Sequence, residues 1–369
     1  MIDENRILET FLEYVQIDSE TLNEHNMAER LLLDLRELEL ETWTDDAGAK
    51  IGSNARNVYA RLAGDPALEP RLFSAHMDTV KPGNSIKPFV SDGVITSGGD
   101  TILAADDKSG ICGIVEALRT IIKEGIPHPT IETLFSISEE GGLNGAKNAD
   151  YRTLSAKKAF VLDSGGNVGT IITSAPGQTK IFATVTGKSA HAGGAPETGI
   201  SAIQAAASGI AAMKLLRIDD ETTANIGTFK SEFATNIVPA TAVIVAEARS
   251  RSEEKLERQT AHMIECLEAA CRRYGATLEC KTETSYLGYS HRQDSQIVKE
   301  ATRACESLGL EPLYRASGGG SDANVMNHNG LTALVLGTGM EKGHTTSESI
   351  TVKNLIDTAR LCLALMTGN

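Results

Sequence analysis

Short apolar runs alternate with helical stretches along most of this chain, and that alternation leaves few folds open to it. Residues 7–38 read as mostly helix with a break near Ser19 to Thr21, because apolar residues recur at helical spacing through Ile7, Phe11 and Val15 and again through Leu31, Leu32, Leu35 and Leu38. Residues 71–75, 131–137, 159–162 and 331–336 read as strands. Residues 111–122 read as a helix with Ile111, Val115, Leu118 and Ile122 on one face, and residues 352–366 as a last helix. The expected architecture is α/β, a mixed sheet flanked by helices. The middle of the chain breaks this order. Residues 181–186 look like a strand, 200–216 an Ala-rich helix, 223–229 and 238–248 two strands, 252–274 a long helix and 277–282 a final strand. That is the β-α-β-β-α-β order of a ferredoxin-like sandwich. Residues 178–290 are therefore expected as a unit inserted into a larger domain made of residues 1–177 and 291–369. A length of 369 residues suits about two domains.

The strand ends carry the chemistry. His76 and Asp78 close one apolar run, Glu139 and Glu140 follow a second, Asp163 ends a third, and His344 lies a few residues past a fourth; Asp106 sits just before a helix. Ligands of open α/β sheets bind beyond the carboxyl ends of the strands, so these residues are expected at one edge. Imidazole and carboxylate are the nitrogen and oxygen ligands that Zn²⁺ accepts. Two cations roughly 3.5–4 Å apart activate a water and polarise a carbonyl together. His76, Asp106, Glu140, Asp163 and His344 would supply such a pair. Asp78 lies two residues past His76, on the same face of a strand, and is placed to orient the imidazole. Glu139 points away from its neighbour Glu140 and suits the general base that deprotonates the water. Asp106 also suits a helix N-cap, and Asp107 and Lys108 are read as local structure.

The segments Ser-Ala-His76-Met-Asp78-Thr-Val, Ala-Asp106-Asp107-Lys-Ser-Gly, Ser-Glu139-Glu140-Gly-Gly and Asp163-Ser-Gly resemble the metal motifs of the peptidase T-like metallopeptidases, in the superfamily of aminoacylases, carboxypeptidase G and succinyl-diaminopimelate desuccinylase. The resemblance covers nearly the whole chain. It implies a dinuclear zinc aminopeptidase that cleaves tripeptides or other short peptides by a water activated by two metals and Glu139. His76, Asp106, Glu140, Asp163 and His344 would then be ligands, with Asp106 bridging, and Asp78 the supporting acid. Gly187-Lys-Ser-Ala-His191-Ala-Gly-Gly resembles a lid segment whose His stabilises the oxyanion, often across a dimer interface. Asn236, Arg249 and the glycine loop around Gly319 resemble substrate-contacting positions, and the inserted unit a lid and dimerisation domain. Zinc is favoured by the ligand types, while carboxylate-rich sites also take Mn²⁺ or Co²⁺. The chain is shorter than the tripeptidases that give the group its name, which leaves the fine substrate preference open.

Other classes fit less well. Thirty-five Lys and Arg against 49 Asp and Glu give a net charge of −14, which argues against a nucleic-acid backbone as partner. No apolar stretch is long enough to span a membrane. The acidic N-terminal residues do not look like a signal peptide, and the six Cys show no Cys-x-x-Cys pair, so a cytoplasmic protein with free thiols is expected. Gly318-Gly319-Gly320 lacks dinucleotide-binding spacing. His25, His128, His262, His291 and His328 have no partner motif and are read as surface or structural. An amidohydrolase acting on N-acyl amino acids or related amides uses the same metal chemistry and remains an alternative. A non-catalytic metal-binding protein has no use for a base beside its ligands.

Overall fold

The computed structural model describes residues 1–368. The chain divides into two compact units: Met1–Thr173, His291–Ser317 and Ser321–Asn369 form the first, and Ser174–Ser290 with Gly318–Gly320 the second.

The first unit is built on a mixed sheet. From one edge, Glu41–Thr44, Val58–Leu62, Ile131–Ser136, Arg71–His76, Lys158–Ser164, Thr332–Gly337 and Thr170–Ala175 follow in spatial order, and Leu313–Ala316 pairs with the last of these. Ile131–Ser136, Arg71–His76, Lys158–Ser164 and Thr332–Gly337 are mutually parallel, with Ser74 opposite both Leu134 and Val161. Buried on both faces, they read as near-continuous apolar runs. Their carboxyl ends therefore lie along one edge. The helix Ala105–Glu124 packs on Arg71–His76 and on Lys158–Ser164, and against both Glu4–Val15 and Val352–Thr367. Phe73 and Phe160, both fully buried, meet with ring centroids 5.5 Å apart in the middle of the core. The N-terminal stretch forms two helices, Glu4–Val15 and His25–Glu37, and the loop between them runs past the site edge. The expectations missed the edge strand Glu41–Thr44. None of its residues is buried, so it carries no apolar signal.

The second unit is an antiparallel sheet in the order Leu216–Arg217, Thr222–Lys230, Thr241–Ser250, Gly177–Thr186, Thr277–Tyr286. The helices Ala202–Ala212 and Glu253–Tyr274 pack on each other and on the sheet. Burial alternates along Gly177–Thr186 and Thr241–Ser250, as it does when one sheet face is covered. A Cβ at Gly209 would come within 3.0 Å of the Leu267 Cα, so glycine there lets the two helices close on each other. The first helix is shorter than the residues 200–216 that periodicity suggested. The Ser201 hydroxyl caps its start by accepting from Gln204 N, and Met213 is already extended at its end. Leu216, which continues the apolar spacing, pairs instead with Ala224 in the edge strand Leu216–Arg217, and Arg217 pairs with Thr223. The strand expected from residue 238 starts at Thr241, past Pro239, which has no N–H for a ladder.

Candidate active site

His76, Glu139, Glu140 and Asp163 sit at or just past strand ends on the carboxyl edge, Asp106 opens the helix Ala105–Glu124, and His344 lies in the loop after Thr332–Gly337. His76 is the last residue of Arg71–His76 and is 2% exposed. Its Nε2 lies 3.1 Å from Asp106 Oδ1 and 3.9 Å from Asp163 Oδ1. Its Nδ1 faces the other way, 2.9 Å from the Asp78 carbonyl oxygen and 3.5 Å from Asp78 Oδ1. A proton on Nδ1 donated to Asp78 leaves Nε2 with a free lone pair toward the cluster. His344 completes the opposite side: its Nε2 is 3.2 Å from Asp106 Oδ2 and 2.7 Å from Glu140 Oε1. One Asp106 carboxylate thus sets an oxygen beside each histidine.

Asp78 does more than face His76. Fully buried, it accepts from the backbone N–H of Glu139 at 2.8 Å and of Glu140 at 3.2 Å, and from the Thr21 hydroxyl at 2.8 Å. The same carboxylate orients the imidazole and the segment bearing the two glutamates. That segment follows Ser138, held at φ 50, a conformation that L side chains rarely adopt. Ala104 (φ 64) and His344 (φ 63) share this left-handed strain. Strain of this kind gathers at functional sites, where surrounding contacts enforce it. Here buried carboxylates supply such contacts: Glu24 accepts from Ser138 N at 3.0 Å, and Glu348 from Ala104 N at 2.8 Å.

The electrostatics are those of a crowded acidic pocket. Burial, reinforced by the charge of Asp163, pushes the Glu139 carboxyl well above the usual range. Burial likewise raises Asp163 and Asp107. Burial works against a charge on His76, but the Asp106 and Asp78 carboxylates outweigh it and hold its pKa high. Hydrogen bonds to Asp106 and Glu140 lift His344 to about 10. Asp107, read from sequence as local structure, belongs to this cluster. It is fully buried, and its Oδ2 accepts from His76 N at 3.2 Å while its Oδ1 has no hydrogen-bond partner. Lys108 is also fully buried and donates to the Ile17 carbonyl at 2.6 Å, tying the helix to the N-terminal loop. Glu24, Asp107 and Glu348 went unrecognised because a lone acidic residue in a loop reads as solvated until the fold buries it.

The residues fit divalent cations. His76, Asp106 and Glu140 form one group with ligand atoms within 4.8 Å of one another, and His76, Asp107 and Asp163 form a second. Their donors are oxygen and imidazole nitrogen, which suit such ions.

The remaining expected residues lie in the second unit. Exposed His191 accepts at Nδ1 from the N–H of Gly193 at 3.1 Å and of Gly194 at 3.0 Å, which puts its proton on Nε2. Its neighbour Ala192 donates to the Asn236 carbonyl at 2.9 Å. Arg249 is paired with Glu247 through Nε at 2.9 Å and Nη2 at 3.2 Å, and its Nη1 lies 3.8 Å from where a Cβ on Gly319 would sit.

Nitrogen and oxygen donors at the carboxyl edge of a parallel sheet, with a buried carboxyl beside them, describe a metal-dependent hydrolase. The family model described as peptidase family M20/M25/M40 matches residues 72–367, and the chain belongs to that family of peptide-bond hydrolases. It is similar to the aminopeptidase PepT from Bacillus cereus ATCC 10987, with 43% identity, 99% of this chain and 98% of that one covered, and a TM-score of 0.92. A tripeptidase from Staphylococcus aureus subsp. aureus Mu50 shows 39% identity over 99% of this chain and 98% of its own, with a TM-score of 0.95. The uncharacterized protein YqjE of Bacillus subtilis strain 168 is 42% identical over 366 residues, 99% of both chains. Among the described residues no helix is long and apolar enough to cross a membrane.

Proposed function

We propose that this chain is an aminopeptidase that removes the N-terminal residue from tripeptides and other short peptides, using two divalent cations, with zinc the first candidate and Mn²⁺ or Co²⁺ as substitutes. The observation that carries this reading is the buried Glu139 carboxyl. Its backbone is fixed by Asp78 beside the His76, Asp106 and Glu140 donors, in a chain 43% identical to an aminopeptidase along nearly its whole length. His76, Asp106, Glu140, Asp163 and His344 would hold the cations, with Asp106 shared, and Asp107 stands within reach of the His76 side. Cations bound there lower the pKa of water and polarise a carbonyl oxygen. Glu139 takes the proton from the attacking water and passes it to the leaving amine nitrogen. Asp78 holds the His76 tautomer.

In the second unit, read as a lid, His191 presents Nε2–H to the oxyanion. Arg249, Gly319 and Asn236 contact the substrate. The unit also pairs two copies so that His191 serves the neighbouring site; a fully active monomer in sedimentation would contradict this dimer. Free thiols at all six Cys agree with a cytoplasmic setting.

The substrate class is tested with a panel of free tripeptides and matched N-acylated amino acids. Release of the N-terminal residue from free tripeptides, with little turnover of the acylated set, is the expected result. Turnover confined to N-acylated substrates would move the chain to the amidohydrolases.

A further inference from the structure

We infer that Glu348 is a positioning residue that fixes the Asp106 carboxylate and the His344 loop relative to each other, an inference that rests on the two-cation reading above. Glu348 is 1% exposed. Its Oε2 accepts from the N–H of Leu103 and of Ala104, both at 2.8 Å, and its Oε1 from the N–H of Asp106 at 2.9 Å. Three donors converging on two oxygens require a side chain that accepts at both ends. Only a carboxylate does so, since an amide would set an NH₂ against one of them. The bonds span about 240 positions of sequence and hold Ala104 in its left-handed conformation, from which the chain turns Asp106 toward the histidines.

The other end of the link is the loop that carries His344. Glu341 and Ser349 close that loop, with Glu341 N donating to Ser349 O at 2.8 Å and Ser349 N to Glu341 O at 3.1 Å. His344 stands within it, and Glu348 stands at its neck, with its own N–H on Thr345 O at 3.0 Å. Glu348 therefore joins two segments whose side chains meet at Asp106 Oδ2 and His344 Nε2, 3.2 Å apart. The His76 and Asp163 side is built on strands and does not pass through Glu348. Asp106 faces both histidines, whereas the His344 loop serves one side only, so Glu348 should weigh more heavily on the cation beside His344 than on the one beside His76.

The test is Glu348→Gln. The variant can keep the two bonds to Leu103 and Ala104 through its amide oxygen, but it turns an NH₂ toward Asp106 N–H. Zn²⁺ calorimetry and Co²⁺ absorption titrations on the cation-free protein read each site separately. The expected result is a Kd about 10–100-fold weaker for one cation, the range found when partners behind metal ligands are lost, with a smaller weakening of the other. Two wild-type Kd values, or equal weakening of both, would overturn the inference. Wild-type protein that takes up only one cation defeats the two-cation reading instead. In that case weakening of the single cation by Glu348→Gln upholds the positioning role, and an unchanged Kd overturns it. Circular dichroism and thermal unfolding of the cation-free variant check folding. If Glu348→Gln does not fold, Glu348→Asp, a carboxylate one methylene shorter, replaces it under the same criteria.

Discussion

Glu139→Ala is expected to bind both cations with wild-type affinity and to lose turnover on the order of 10²–10⁴-fold, the usual contribution of a positioned general acid–base group. The physical reason lies in what holds the segment. Asp78 receives the Glu139 and Glu140 backbone N–H groups, and Glu24 receives that of Ser138. None of these bonds uses the Glu139 side chain. Truncating it therefore removes a proton acceptor and leaves Glu140, at 2.7 Å from His344, in place. The check is a pairing of steady-state kinetics with metal content. Near wild-type kcat would remove Glu139 from the chemistry, and loss of cations along with activity would make it a ligand rather than a base.

Asp106→Asn is expected to fail differently, losing cations and activity together. Its two oxygens approach both histidines, at 3.1 Å from His76 Nε2 and 3.2 Å from His344 Nε2. An amide keeps the shape but supplies one neutral oxygen and one NH₂, so the shared position is lost. Bound cations contribute several kcal/mol to such transition states, and each 1.36 kcal/mol is a factor of ten. A fall of at least about 10²–10³-fold in kcat/KM follows from those two values, with weaker affinity for both cations in titration. This sets the variant apart from Glu348→Gln, which is expected to weaken one cation much more than the other.

Much of this architecture was legible because burial writes itself into sequence. The parallel strands bearing His76 and Asp163 are apolar runs with a ligand-type residue at the end, and the helix expected over 111–122 forms within Ala105–Glu124, although it is buried all round from Asp107 to Leu118 and Ile122, expected on its apolar face, is exposed. The parts that stayed illegible are those where the same letters serve two environments. Leu215 and Leu216 continue the apolar spacing of a helix that ends at Ala212, because cross-strand pairing with Ala224 competes with helix propagation. Asp107 beside Asp106 reads as local structure, yet it is fully buried. Glu24 and Glu348 lie far in sequence from the residues they hold, and nothing local reports that their carboxylates end on the backbone N–H groups of Ser138 and Asp106. Spacing identifies residues that share an element; it does not identify those that support it from another.

Peptide-bond hydrolysis by this chain is proposed to run on cations held by His76, Asp106, Glu140, Asp163 and His344. The most direct measurement follows release of the N-terminal amino acid from one tripeptide by the same protein as isolated, after chelation, and after return of Zn²⁺ in increments. Chelation is expected to abolish release, and activity to return as the second equivalent of Zn²⁺ is bound. Full release by protein shown to be free of cations would contradict this proposal.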